Sequence, residues 1–143
     1  GDYRSAQDLH TAALDQARRV NDRPSIATAL VNLAIVADHH GDYAQAMTLC
    51  RDSLAGFRDV SDKRGIAFAL SLLGVLATDQ GEYATARPLF EESLVLQREL
   101  GDRPGIAGTL AHLGLVAREQ GDVGAARNGP SIRLTDTAPR SRE

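Results

Sequence analysis

The sequence predicts an all-α fold, an α-solenoid built from antiparallel helix pairs, and two observations support that prediction. First, a unit of forty residues is written about three and a half times, because the tripeptide Gly-Asp/Glu-Tyr or Gly-Asp-Val begins at Gly1, Gly41, Gly81 and Gly121. Second, apolar residues recur within each unit at helical spacing, and no unit shows the alternation of a β-strand.

The predicted solenoid is one domain that covers residues 1–127. Its repeat units are 1–40, 41–80 and 81–120, with a partial unit at 121–127. The apolar spacing is lost after Arg127, so we expect residues 128–143 to form a mobile tail. A competing expectation is that this tail folds back over Leu110 and Leu113 as a cap.

Composition narrows the class of protein. The net charge is -3 and the sequence pI is near 5.8, which argues against a nucleic-acid partner because such modules usually carry a concentrated basic surface. A single cysteine cannot form an internal disulfide, and no apolar run is long enough to span a bilayer. We therefore expect a cytoplasmic protein without a membrane partner.

The first helix of each unit, here called the B-type helix, is predicted at residues 2–20, 42–60 and 82–100. Each has one apolar stripe of five positions. The stripes are Tyr3, Ala6, Leu9, Leu14 and Val20; Tyr43, Ala46, Leu49, Leu54 and Val60; and Tyr83, Ala86, Leu89, Leu94 and Leu100. Pro88 lies beyond the first turn of the third copy and is expected to bend it.

The second helix of each unit, the A-type helix, is predicted at residues 24–39, 64–79 and 104–119. Its stripe follows the spacing i, i+4, i+7, i+8, i+11, which lies on one face of a helix. The stripes are Ile26, Leu30, Leu33, Ala34 and Ala37; Ile66, Leu70, Leu73, Gly74 and Ala77; and Ile106, Leu110, Leu113, Gly114 and Ala117.

Turn chemistry separates the helices. A glycine is expected to end each A-type helix in the left-handed conformation, and the acid after it to cap the next B-type helix. An aspartate is expected to cap each A-type helix, with proline in the first turn of two of them. The glycines are Gly41, Gly81 and Gly121, the acids Asp42, Glu82 and Asp122, the aspartates Asp22, Asp62 and Asp102, and the prolines Pro24 and Pro104.

Small residues recur where the two helices of a pair should cross, since large side chains there would push the axes beyond roughly 8 to 10 Å. Those on the A-type helices are Ala34, Gly74 and Gly114, and those on the B-type helices are Ala6, Ala46, Ala86 and Ala126. Gly56 is replaced by Leu96 in the next copy, so we expect its slot not to require glycine.

The spacing Leu70, Leu73-Gly74, Ala77, Gly81, Tyr83, Ala86, Phe90 resembles the tetratricopeptide repeat. The sequence departs from that pattern with alanine at the A-type tyrosine position and with a period of forty rather than roughly thirty-four residues. Forty-residue versions resemble those of Leu-Gly-Asn-repeat (Pins-type) polarity adaptors and of bacterial signalling regulators.

The resemblance implies a right-handed superhelix in which the A-type helices line a concave groove. The candidate partner-binding positions are then Thr28, Val31, Asn32, Ile35, Asp38, Phe68, Ser71, Leu72, Val75, Thr78, Gly108, Ala111, His112, Leu115 and Arg118. Alternatively, Ile35, Val75 and Leu115 pack between neighbouring helices. An asparagine at position 32 would suit an extended peptide, but Leu72 and His112 break that pattern.

No constellation of residues indicates chemistry. His39 and His40 are adjacent on a helix end and point in different directions, so they do not form a metal pair. Cys50 stands where other copies have His10 and Phe90, which indicates a half-buried packing position. We therefore expect no catalytic residue, no cofactor and no metal, and no enzyme.

The predicted function is a protein–protein interaction scaffold that binds a peptide or helix of a partner whose identity the sequence does not give. The alternatives are a structural spacer or self-association module, through uncapped terminal helices, and a nucleic-acid-binding helical repeat. Because the chain begins inside a repeat and without methionine, we expect a fragment of a larger, bacterial regulatory protein.

Overall fold

A computed structural model describes the backbone of residues 2–128 and the side chains of residues 2–121. It contains six α-helices in an all-α solenoid. They are α1 (Asp2–Arg19), α2 (Arg23–His39), α3 (Tyr43–Asp59), α4 (Lys63–Asp79), α5 (Tyr83–Leu100) and α6 (Arg103–Asn128). The first five lie within one residue of the predicted bounds. The expected tail lies almost wholly outside the described residues.

Helix α6 is longer than predicted. It runs through Gly121, where the sequence predicts a turn, and it includes Asp122, which was expected to cap a further helix. A glycine permits a left-handed turn without requiring one, and inside a helix it costs only about 1 kcal/mol. After Gly41 and Gly81 the chain turns back because a B-type helix with an apolar stripe follows. No such stripe follows Gly121, so continuing the helix preserves its hydrogen bonds without losing a packed partner.

The helices form two layers. Consecutive helices are joined by loops of two or three residues and pack side by side as hairpins. Successive even-numbered helices also approach within 8 Å between Cα atoms, whereas among the described residues successive odd-numbered helices do not. The even-numbered layer is therefore the more closely spaced of the two. A stack of hairpins spaced in this way curves towards its even-numbered side.

Left-handed residues set the geometry of both kinds of junction. Gly41 and Gly81 have φ of 86° and 75°, as expected. The other junctions turn through Asn21, Ser61 and Gly101, with φ of 53°, 55° and 68°. Positive φ is unfavourable for serine, so of these three junctions the one at Ser61 carries this cost.

The predicted aspartate caps form. Asp22, Asp62 and Asp102 accept hydrogen bonds from the backbone N–H three residues later, at 3.3, 3.0 and 3.1 Å. Asp42 caps α3 in the same way at 3.2 Å. Glu82 makes no side-chain cap hydrogen bond.

Among the described residues the core consists of three clusters of buried side chains, and its composition changes along the stack. In the first half, Ala34 and Cys50 belong to one buried cluster, and both are fully buried. At the equivalent places in the next pair, Gly74 faces the ring of Phe90, and a Cβ on Gly74 would lie 2.7 Å from that ring. In the first copy Ala34 is the larger A-type residue and Cys50 the smaller B-type residue, and in the next copy Gly74 is the smaller and Phe90 the larger. Both crossings are therefore filled.

The expectation for Gly114 is wrong, and Gly56 has a closer neighbour than the sequence indicates. Among the described residues, Gly114 has no atom within 4 Å of a would-be Cβ, because none of the described helices turns back over that part of α6. Gly56 is not free of contacts, since a Cβ there would lie 3.0 Å from the Cβ of Ala27. The side chain of Ala126 lies outside the described residues.

Candidate partner-binding groove

The predicted groove residues lie on α2, α4 and α6, and we call the side of the even-numbered layer that they form the groove face. Most of them are reachable from solvent. The exposed ones are Thr28, Phe68, Gly108, Ala111 and Arg118, and the half-buried ones are Asn32, Ile35, Asp38, Ser71, Leu72, Val75, Thr78, His112 and Leu115.

Val31 is a core residue, contrary to the prediction. It is 3% exposed and belongs to the same buried cluster as Phe57. Helix α2 packs against both α3 and α4, so it buries more than one stripe. Val75 packs against the cluster that contains Phe90 and Val116, which agrees with the alternative that its row contributes to helix packing.

Several polar side chains of the groove face are held by nearby groups. The hydroxyls of Thr28 and Thr78 donate to carbonyls one turn earlier in their own helices, at 3.1 and 2.8 Å. The Ser71 hydroxyl is 2.7 Å from that of Ser93, and Nδ1 of His112 is 2.9 Å from the carbonyl oxygen of Gly108. These contacts fix the side chains and use part of their hydrogen-bonding capacity.

Charge changes sign along one row of the groove face. The row consists of Asp38 on α2, Thr78 on α4 and Arg118 on α6. Burial, and then the nearby carboxylate of Asp79, raise the pKa of Asp38, while His39 lowers it. The α2 end of this row carries a carboxylate, and the α6 end carries a guanidinium that lies 4.0 Å from the carboxylate of Glu119.

A cavity of about 260 Å³ opens where α4, α5 and α6 meet. Four of its lining residues, Phe68, Ser71, Gly108 and His112, are predicted groove positions, so the cavity belongs to the groove face. Gln97 of α5 also lines it, and the sequence analysis did not single out this residue. A comparison of registers would have done so, because Phe57 is its equivalent one unit earlier.

Two buried serines were not predicted from the sequence. The hydroxyl of Ser53 donates to the carbonyl of Ala27 at 2.6 Å, and that of Ser93 donates to the carbonyl of Ala67 at 2.8 Å. Both bonds join a B-type helix to the A-type helix before it. The recurrence of serine after forty residues was the available signal.

The residues considered for chemistry have structural surroundings. Cys50 is fully buried rather than half-buried, its thiol donates to the carbonyl of Ala69 at 3.3 Å, and burial raises its pKa to about 12. His39 and His40 are exposed, and the ring of His40 stacks on Tyr3 at 3.9 Å between centroids. Within the described part of the chain, no cluster of three metal-ligating side chains occurs.

None of the helices described over residues 2–128 has the length and apolar character needed to cross a membrane.

Comparison with known proteins identifies the repeat. A family model described as "Tetratricopeptide repeat" matches residues 1–59 and 65–128. Among solved structures, the chain is similar to BtubC (BKLC) from P. vanneervenii, with a TM-score of 0.76 and 21% sequence identity. The match covers 99% of this chain and 57% of that one, so the chain spans little more than half its length. At this identity the likeness shows a shared fold alone. No curated protein sequence matches the chain.

Proposed function

The chain belongs to the tetratricopeptide repeat family, and from that premise we propose that it is a scaffold whose groove face binds a peptide or helix of a partner protein. Repeats of this family are in general protein-interaction modules. Three parts of this proposal go beyond the family assignment. They are the binding mode, the groove as the binding site, and the single solenoid domain over residues 1–127.

One observation carries this proposal: Phe68 is 51% exposed in the middle of the molecule. It lies on α4, which packs against both α3 and α5 and contacts α2 and α6. The helices around it are therefore present, and yet its ring remains uncovered. Aromatic side chains are enriched at protein–protein interfaces, and Phe68 also lines the cavity on this face, so the two together favour a binding surface.

The charge gradient would orient the partner. We propose that a bound segment places a basic group near Asp38 and an acidic group near Arg118. Both residues are at least partly accessible, so their effect should be on association rate and orientation rather than on total affinity. High salt should therefore slow association more than it speeds dissociation.

The groove can be tested without knowing the partner. Peptides selected from a random displayed library on the whole chain should lose at least tenfold in affinity to Phe68→Glu, because a charge would replace the apolar anchor. Val95→Glu is the matched control, since Val95 is 56% exposed but lies on α5 in the odd-numbered layer. Peptides that tolerate Phe68→Glu and are lost with Val95→Glu would contradict the groove and indicate the opposite layer.

Self-association is a second candidate function, supported by the two terminal helices. Leu9 on α1 is 70% exposed, Val20 in the turn after α1 is 62% exposed, and Leu110 on α6 is 46% exposed. The equivalents of Leu110, which are Leu30 and Leu70, are 7% and 1% exposed. The chain thus has an apolar face at each end that a further helix, or a second copy, could cover.

Sedimentation over a wide concentration range tests this second candidate. We expect concentration-dependent dimers in the whole chain and monomers in the double variant Leu9→Asp with Leu110→Asp. A monomer at every concentration would contradict self-association. A monomer that associates only when cut after Arg127 would instead support the tail as a cap, a segment that lies outside the described residues.

The proposal also covers location, catalysis and other classes of partner. We propose a cytoplasmic, non-catalytic part of a larger regulatory protein, with neither nucleic acid nor a membrane as partner. The net charge of -3 supports the exclusion of nucleic acid. Binding of an oligonucleotide that weakens steeply with salt would contradict it.

A further inference from the structure

The space between three consecutive helices is filled in one part of the solenoid and open in the next. Between α2, α3 and α4 it is occupied by Phe57, 4% exposed, and by Val31, 3% exposed. Forty residues later their places are taken by Gln97 and Ser71, and the cavity of about 260 Å³ lies there. Here two polar side chains stand where the preceding unit has two apolar ones, and the space between the helices is open.

The glutamine in this space has an unpaired acceptor. Gln97 is only 5% exposed, and its Oε1 has no hydrogen-bond partner within the described part of the chain. A buried acceptor without a donor is unfavourable and uncommon in folded proteins. A Cβ on Gly105 would lie 3.0 Å from the Nε2 of Gln97 and nearer still to the carboxylate of Asp102, so this glycine leaves room for both side chains.

The rest of the cavity is suited to a ring. Its lining includes the apolar side chains of Ala67, Phe68 and Leu100, and Phe68 is half-exposed at its edge. His112 is held in place by stacking on Phe90, with 5.0 Å between ring centroids, and by its contact with the carbonyl of Gly108. A volume of about 260 Å³ lies just below the roughly 300 to 1,000 Å³ of sites for drug-sized ligands, so it suits a single side chain.

We propose that this cavity binds a tyrosine side chain of the partner, with the phenol hydroxyl hydrogen-bonded to the amide of Gln97. Tyrosine combines an apolar ring with a polar tip that seeks a partner when buried. Its hydroxyl can donate to Oε1 and also accept from the amide nitrogen. The terminal amide torsion of glutamine is broad, so the amide can turn to present Oε1 to the ligand.

Other side chains fit this site less well. Phenylalanine would fill it but leave Oε1 without a donor, and a site built around a hydroxyl discriminates against the analogue that lacks one. A lysine would meet the Arg64 guanidinium as well as the Asp102 carboxylate in the lining, so its charge would not face a carboxylate alone. The proposal rests on the proposed function only for the source of the side chain, because the site itself can be tested with a free phenol.

The test uses p-cresol and toluene, which match the side chains of tyrosine and phenylalanine, titrated into the whole chain and followed by two-dimensional NMR. We expect p-cresol to shift the side-chain amide of Gln97 and the backbone amides of Gly105 and Gly108. It should bind about tenfold more tightly than toluene, as one hydrogen bond to a buried acceptor allows. Equal affinities, no binding of either, or shifts confined to other helices would overturn the proposal.

Two variants separate the hydroxyl contact from the space. Gln97→Leu keeps most of the volume without the acceptor, so it should abolish the preference for p-cresol while toluene still binds. Gln97→Phe should fill the space as Phe57 does one unit earlier, and bind neither compound. Both should melt at or above the temperature of the wild type, because an unpaired buried acceptor is removed, and this shows that they are folded. A Gln97→Leu variant that keeps the tenfold preference would overturn the role of the amide.

Peptides selected on the groove complete the experiment. Tyrosine should recur among them, and its replacement by phenylalanine should weaken them about tenfold on the wild type but not on Gln97→Leu. If p-cresol fails while the peptides still depend on Phe68, the cavity proposal falls and the groove stands. If p-cresol binds as expected while the peptides depend on Val95, the groove falls and the cavity stands.

Discussion

Helices α4 and α6 carry the same apolar stripe in the same register, but only α4 buries it. Leu70 is 1% exposed on α4, whereas its equivalent Leu110 is 46% exposed on α6. Ala77 is fully buried, while Ala117 is exposed. The difference lies in their neighbours, since α5 turns back over α4 and no described helix does so over α6. In a helical repeat, the apolar stripe thus indicates which face of a helix can pack. Whether that face is buried depends on the neighbouring unit.

Leucine deletion should give the largest contrast between the two helices. Leu70→Ala should lower the free energy of unfolding by about 2 to 5 kcal/mol, because it leaves a cavity in the core, and Leu110→Ala by less than about 1 kcal/mol. Urea unfolding followed by circular dichroism measures both. Equal losses would mean that the face of α6 is covered in solution, by the tail or by a second copy.

Glycine replacement should give a contrast in sign. Gly74→Ala should destabilise the fold by about 1 to 2 kcal/mol, because its Cβ would overlap the buried ring of Phe90 and the loss exceeds the gain in helix propensity. Gly114→Ala, with open space around it, should stabilise by about 0.5 to 1 kcal/mol. Thermal melts of the two variants distinguish them. A Gly114→Ala variant that melts below the wild type would show that α6 has a close neighbour there.

The helix caps should show no contrast. Asp62 and Asp102 cap α4 and α6 through hydrogen bonds of nearly equal length, and both are half-buried. Replacement of either by alanine should cost about 1 kcal/mol, because a cap acts within its own first turn. A markedly smaller loss for Asp102→Ala in urea unfolding would indicate that α6 frays before the rest of the array unfolds, so that its cap is already lost.

The smallest effect concerns pH and the interior thiol of Cys50. Burial raises its pKa in the folded chain to about 12, against an ordinary value of 9.0, so the folded state keeps the proton that the unfolded state loses. The stabilisation is complete below pH 9 and declines as pH rises towards 12. Between pH 8 and 10 the free energy of unfolding of the wild type should fall by about 1 kcal/mol more than that of Cys50→Ala. The variant is a suitable control because the other titrating groups are the same in both proteins. Parallel stability curves for the two proteins would contradict a deeply buried thiol.

The sequence predicted the features that a helix determines within itself. Five helices lie within one residue of their predicted bounds, because stripes, aspartate caps and left-handed glycines act over a few residues. The extension of α6 through Gly121 was not predictable in this way, since that glycine turns only if a following helix can pack. The same reasoning explains Gly114, whose expected contact required a following helix that is not among those described.

The groove was less predictable than the helices. Register alone identified Phe68 and His112 as groove positions, but it also selected Val31, which the packing of α2 against two neighbours buries. The cavity arises from a difference between copies, with Gln97 in the place of Phe57. A search for what the repeats share therefore passes over it, whereas a comparison of what they do not share would have found it.

Photo-crosslinking tests the groove proposal most directly. A photoreactive benzoylphenylalanine placed at Phe68 or, in a second protein, at Val95 replaces an exposed apolar residue on either layer, and each protein is irradiated with a peptide selected on the wild type. If the groove face binds the peptide, we expect covalent capture from position 68 and none from position 95. Excess unlabelled peptide should suppress the capture. Capture from position 95 alone would contradict the groove proposal, and would place the binding surface on the odd-numbered helices.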